Sequence, residues 1–333
     1  MGARRASPFA YTCAVTSVPK RDRLGNHRRA DWRRALERAL LWSALLAGLS
    51  GCSRFDLLNA TISSRGYVRS AGIAYGPLPR QKLDVYRPRH AKSHSDVVIF
   101  FYGGDWQTGS RTDYRFVAEA LTSRGFIAVI ADYRLYPSVT FPAFVEDGAL
   151  AVRWVHDHAE CLDGDADHLY LMGHSAGAHI AALLTLDAHY LHDVGLEQDA
   201  IRATAALSGP YDFAPPPGDR AVFAMKDGQT RPSTAAQPIT FVDGHAPPLL
   251  LVHGLADKTV EPGNASRLGE RIRSAGGAVR TVFYPKKGHV AVVLSLARPF
   301  RSLAPTLRDV TAFFHQVDRA NAVDPAPPTK PTQ

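Results

Sequence analysis

Three residues in this chain could perform nucleophilic catalysis together: Ser175, Asp257 and His289. Ser175 lies in Gly173-His174-Ser175-Ala176-Gly177, after the apolar run Leu169-Tyr170-Leu171-Met172 and before the helix-forming stretch from Ala178 to Leu184. A strand, a sharp turn and a helix would leave the serine exposed at the apex, with the flanking glycines free of Cβ clashes. A serine hydroxyl is a weak nucleophile near neutral pH and needs a base held by a third group. Asp257, in Leu251-Val252-His253-Gly254-Leu255-Ala256-Asp257, and His289, in Tyr284-Pro285-Lys286-Lys287-Gly288-His289, each follow a run that reads as a strand. In a parallel sheet the carboxyl ends of the strands share one edge, so the three side chains can meet there. The chemistry implied is acyl transfer. His289 takes the Ser175 proton and returns it to the leaving group, while Asp257 fixes the imidazole tautomer.

A tetrahedral oxyanion also needs donors. Tyr102-Gly103-Gly104-Asp105-Trp106 follows the run Asp96 to Tyr102, where bare backbone can approach a substrate oxygen. The amides of Gly103, Gly104 and Asp105, with that of Ala176, are the candidate oxyanion hole. Asp212, beyond Ser208-Gly209, is a second acid that a displaced triad could use. His174, inside the elbow, points off the serine and is expected to pack or hydrogen-bond nearby. His179 and His253 read as structural. No cluster of His, Cys, Asp or Glu has metal-ligand spacing, so neither a metal nor another cofactor is expected.

The elements that would position these residues alternate. Val68 to Tyr75 and Lys82 to Tyr86 read as an opening antiparallel pair. Buried strands follow at Asp96 to Tyr102 and Phe126 to Ala131, then the strand before Ser175, Ile201 to Leu207, Pro248 to His253 and Val279 to Tyr284. Helices are expected at Phe116 to Ser123, Phe144 to His156 with Trp154 on its apolar face, after Ser175, at Asn264 to Ser274 and at Thr306 to Val317. Such alternation predicts an α/β fold, a mostly parallel sheet covered by helices on both faces. Tyr211 to Pro247 is rich in Pro, Gly and charge and reads as a short cap over the site. Ala322 to Gln333 has four prolines and reads as a disordered tail. The expected organisation is a leader at 1–51, one domain at 52–320 and a tail at 321–333.

A formal charge of +8 over 333 residues would suit nucleic acid, but its distribution excludes that reading. The first 51 residues hold ten Lys/Arg against three acids, so the remainder sits near +1. The basic cluster from Arg28 to Arg38 precedes an apolar stretch, Ala39 to Leu49, too short to span a bilayer comfortably. Leu49-Ser50-Gly51-Cys52 then resembles the lipobox of bacterial lipoproteins. The resemblance implies cleavage before Cys52, acylation there and a cell-envelope location, with Ser53 favouring the outer membrane, facing the periplasm. The residues before the basic cluster are long for such a leader, which points to a start downstream of Asn26. Cys161, with no partner framework, reads as inert near a helix end.

From about Tyr67 to about His315 the chain resembles the α/β-hydrolase superfamily, in the esterase branch with an H-G-G-x-W oxyanion loop. The resemblance rests on Lys82-Leu83-Asp84-Val85-Tyr86-Arg87-Pro88, Tyr102-Gly103-Gly104-Asp105-Trp106, Asp132-Tyr133-Arg134-Leu135, the serine pentapeptide, the Asp257 loop and Gly288-His289. That branch includes acetyl/feruloyl esterase-like lipases, kynurenine formamidases and prenylcysteine methylesterases. It implies a cofactor-free serine esterase for a small ester substrate, with a formamide hydrolase or an inactive envelope scaffold as alternatives. The usual histidine before the Gly-Gly pair is Tyr102 here. Asp132 and Arg134 are expected to brace loops near the site.

Overall fold

The computed structural model describes residues 54–91, 93–214, 220–223 and 234–323. The chain divides into a unit of residues 1–53, outside the described residues together with the leader and Cys52, and a unit of residues 54–333. The second unit begins with α1 (Arg54–Ala60), an element absent from the sequence reading.

Eight strands form one sheet in the order β1-β2-β4-β3-β5-β6-β7-β8. β1 (Tyr67–Ala74) and β2 (Lys82–Pro88) are antiparallel, as is the β2–β4 pair. β3 (Ser95–Phe101), β4 (Ile127–Ala131), β5 (Gly164–His174), β6 (Ala203–Leu207), β7 (Leu249–Gly254) and β8 (Val279–Tyr284) run parallel to one another. The expected α/β architecture is therefore present, with the antiparallel opening pair at one edge. Val97 to Phe101 and Leu169 to Met172 are shielded from solvent on both sheet faces, which is why these strands read as continuous apolar runs.

α2 (Arg115–Thr122), α3 (Ala143–His158), α4 (Ala176–Leu186), α6 (Gly263–Ser274) and α8 (Thr306–Val323) are the longer helices, with α5 (His189–His192) and α7 (His289–Leu294) short. α4 is apolar almost all round and every residue in it is buried, as a helix pressed between sheet and neighbours must be. Two boundaries differ most from expectation. β5 starts at Gly164, because the polar Asp165–His168 stretch extends a strand whose apolar signal begins only at Leu169. α8 runs on to Val323, so residues 321–323 belong to the last helix rather than to the tail, and 324–333 lie outside the described residues. No helix among the described residues is long and apolar enough to cross a membrane.

The chain leaves β3 for β4 on one side and later enters β5 on the other. The loops after β3 and β5 thus diverge at a switch point, where open parallel sheets leave a crevice. Phe101 pairs with Gly173 across it, which brings the Gly103-Gly104 turn beside Ser175.

Candidate active site

Ser175 is a non-glycine residue held at φ 56°, ψ −121°, between β5 and α4. The turn is fixed from both sides: the Ser175 amide donates to Leu207 O at 2.9 Å, and Ser175 O accepts from the His179 amide at 3.1 Å. The flanking glycines are required by space. A Cβ on Gly173 would lie 2.2 Å from Gly177 O, and one on Gly177 would lie 2.1 Å from Phe101 O. Strand, elbow and helix can approach this closely only without those side chains.

Asp257 and His289 meet. Asp257 follows β7, His289 opens α7 after β8, and His289 Nδ1 lies 2.7 Å from Asp257 Oδ2. With Nδ1 donating to the carboxylate, Nε2 is the basic nitrogen. The other carboxylate oxygen accepts the Thr259 and Val260 amides, both at 2.9 Å. Burial would raise the Asp257 pKa, yet the hydrogen bonds from His253, His289 and the Val260 amide outweigh it and hold the carboxyl well below the usual range. Ser175 and His289 are not hydrogen-bonded to each other; such contacts often tighten only with substrate bound. The bridge between their loops is His174, whose Nε2 lies 3.3 Å from His289 O and whose ring sits 4.8 Å from that of His289.

Asp212 is not drawn in. Its carboxylate accepts Arg267 Nε at 2.6 Å and makes no contact with His289. His179 donates to Ala236 O at 2.8 Å, tying α4 to the cap segment. His253, read as structural from the sequence, touches Asp257 as well.

The four candidate oxyanion residues separate. Gly103 packs on Ser175, since a Cβ there would be 3.0 Å from Ser175 Cβ, and its amide is directed at the Tyr114 hydroxyl. Its amide thus differs from those of the other three candidates in having an acceptor nearby. The amides of Gly104, Asp105 and Ala176 have no partner among the described residues. Ala176 opens the 11-residue α4, where helix amides favour negative charge. Gly104 has φ 131°, and a Cβ there would meet Thr108 O at 2.3 Å, so only glycine fits. Asp105 and Trp106 are held left-handed at φ 53° and 57°.

That strained loop is braced from behind by residues the sequence only hinted at. Tyr102 occupies the position of the usual histidine. Its hydroxyl donates to Asp132 Oδ1 at 2.8 Å and accepts from Arg80 Nη2 at 2.7 Å. Asp132 also accepts the Arg111 amide at 2.7 Å, and Arg111 Nε reaches Asp84 Oδ1 at 2.8 Å. Arg134 is anchored on buried Asp147, its amide 2.8 Å from Oδ2. The signal for this network was the presence of Asp84 and Asp132 at or beside apolar strands, where a carboxylate needs partners. Trp106 stacks in turn on Phe213, centroids 6.0 Å apart, and meets Phe223 edge-on at 4.8 Å. These contacts show the described part of the cap segment folded against the loop; residues 215–219 and 224–233 are outside the described residues. Ser175 opens into a cavity of about 440 Å³ whose walls include Trp106, Phe213, Val260, Asp212 and Arg267.

Two histidines near the elbow give the site an acid sensitivity. Burial lowers the His174 pKa to about 3, helped by the nearby His289, and burial lowers that of His179 to about 4. Each binds its proton more weakly folded than unfolded, so each contribution is complete above about pH 6.5 and is lost as pH falls toward those values. Asp257 adds a loss only at still lower pH, below the ordinary carboxylate range. The urea midpoint is therefore expected to be lower at pH 4.5 than at pH 7.5; equal midpoints would contradict the buried neutral histidines.

An elbow serine after the strand next to the Gly103-Gly104 loop, with an acid and a histidine after the last two strands, defines the α/β-hydrolase fold. Comparison with known proteins narrows the class: residues 83–272 match the BD-FAE family, and the chain belongs to it, within the esterase branch of the superfamily. The chain is 28% identical to esterase LipC of Mycobacterium tuberculosis, over 96% of this chain and 84% of that protein. It is 29% identical to a probable isoprenylcysteine alpha-carbonyl methylesterase of Arabidopsis thaliana over 68% of this chain, but spans only 52% of that protein's length. Among solved structures, esterase B of Lactobacillus rhamnosis superposes with a TM-score of 0.70 at 19% identity, covering 87% of this chain and 99% of that one. The last likeness is one of fold.

Proposed function

We propose that this protein is a serine carboxylesterase for small carboxylic esters, with Ser175 as nucleophile, His289 as base and Asp257 as the acid that orients it. The observation that carries the reading is the 2.7 Å contact from His289 Nδ1 to Asp257 Oδ2, beside an elbow serine in a cavity. Ser175 Oγ attacks the ester carbonyl as its proton passes to His289 Nε2. The carbonyl oxygen becomes an oxyanion facing the amides of Gly104, Asp105 and Ala176. Collapse expels the alcohol, which takes the proton from His289 and leaves an acyl-serine. Water then repeats the cycle and releases the acid. No cofactor is needed for these steps. We further propose that acylated Cys52 tethers the enzyme to the cell envelope, since Ser53 alone separates the lipobox-like sequence from the described residues, which begin at Arg54.

The test is hydrolysis of p-nitrophenyl esters from acetate to palmitate, with mass mapping of the adduct left by a fluorophosphonate. Acetate and butyrate are expected to turn over fastest, because the described walls form a modest cleft, and the adduct is expected on Ser175. A chain-length optimum at palmitate would overturn the small-ester reading. Inertness to every ester, with the adduct still formed, would favour the amide hydrolase instead.

A further inference from the structure

The acid of the site is held by two imidazoles, and the catalytic scheme uses only one. Besides His289, Asp257 Oδ2 lies 3.2 Å from Nε2 of His253, a residue at the end of β7 with no solvent exposure. The same Nε2 lies 3.0 Å from Val260 O. A carbonyl only accepts, so Nε2 carries the hydrogen and donates it to Val260 O, with Asp257 Oδ2 the second acceptor within reach at 3.2 Å. Nδ1 of His253 is buried and has no partner among the described residues, so the ring's polar contacts all run through Nε2.

We infer that His253 is a positioning residue: its Nε2–H holds Asp257 Oδ2 and the 257–260 turn in register with His289. This inference rests on the serine esterase reading above. Its physical content is twofold. A carboxylate buried in the loop has two oxygens to satisfy, and the backbone amides of Thr259 and Val260 serve only Oδ1. Without His253, Oδ2 would face His289 alone, and only that contact and the two amides on Oδ1 would resist rotation of the carboxylate about Cβ–Cγ. The His253 hydrogen also withdraws part of the carboxylate's charge from His289, which limits how strongly the imidazolium is favoured. The other titratable groups around His289 are Asp257 and His174, with Lys286 and Lys287 on its own loop.

The experiment pairs His253→Gln, which keeps an N–H at the reach of Nε2, with His253→Met, which keeps a similar length and offers no donor. Both are compared with wild type in the full chain by kcat, KM and the pH profile of kcat/KM. His253→Met is expected to lose about tenfold or more in kcat, the scale of one hydrogen bond to a charged group, with KM little changed. The acid limb of its profile is expected at higher pH, because a less solvated carboxylate favours protonated His289. His253→Gln is expected to stay within threefold of wild type with its limb unmoved. Equal impairment of both variants would reduce His253 to packing, and no impairment of either would remove its role; each overturns the inference. A Ser175→Ala protein that remained active would instead defeat the esterase reading on which it rests.

Discussion

Ser175→Ala is expected to lower kcat on p-nitrophenyl acetate by about a million-fold and to abolish fluorophosphonate labelling, with the fold intact. The magnitude follows from losing the nucleophile of a unit whose members act together, so the residual rate comes from the oxyanion donors and binding alone. The fold should survive because the elbow does not depend on the hydroxyl. Its conformation is held by the Ser175 amide on Leu207 O and by the close approach of Gly173 and Gly177, none of which involves Oγ. Alanine keeps the Cβ that packs against Gly103, and removing Oγ orphans no partner. Stability is therefore expected within about 0.5 kcal/mol of wild type. The measurement is steady-state hydrolysis with thermal unfolding of the same preparation. Activity within a hundredfold of wild type would exclude Ser175 as the nucleophile.

Much of this site was legible in the sequence because its parts lie just past strand ends, where pattern and topology agree. Once Leu169–Met172, Leu249–Val252 and Val279–Tyr284 read as parallel strands, Ser175, Asp257 and His289 had to share an edge. The limits were equally physical. Gly103 and Gly104 are adjacent and chemically identical, and only the structure shows which amide has an acceptor nearby. His253 read as structural because its partner lies four residues on in a loop, a relation with no periodic signature. The bracing of the Gly103-Gly104 loop was hidden for another reason. Asp84, Arg111, Asp132 and Tyr102 come from four separate segments, so sequence shows a need for partners without naming them. Helix α8 outlasted its apolar pattern because its final turns carry polar residues, which propensity alone leaves ambiguous.

Asp257→Asn is the more discriminating test of how the imidazole is held, with an expected loss of about ten-thousand-fold in kcat. The size follows from which atom the amide turns toward which partner. The Thr259 and Val260 amides, each 2.9 Å from Oδ1, demand an acceptor there, so the side-chain oxygen of asparagine will take that place. Its NH₂ then occupies the Oδ2 position, facing the Nδ1 of His289 at 2.7 Å and the Nε2 of His253 at 3.2 Å. A donor opposite Nδ1 selects the tautomer with hydrogen on Nε2, which cannot accept the Ser175 proton. Binding is barely touched, so the loss should fall on kcat rather than KM. Asp257 is also a group whose ionised form is strongly favoured by its surroundings, and the substitution removes that contribution while setting N–H against N–H. A stability loss of about 1–3 kcal/mol should accompany it. Asp212 offers no rescue, because Arg267 holds its carboxylate and its own backbone oxygen. If the variant kept more than a tenth of wild-type kcat, orientation of His289 would have to come from elsewhere, and the His174 contact to its backbone would be the next place to cut.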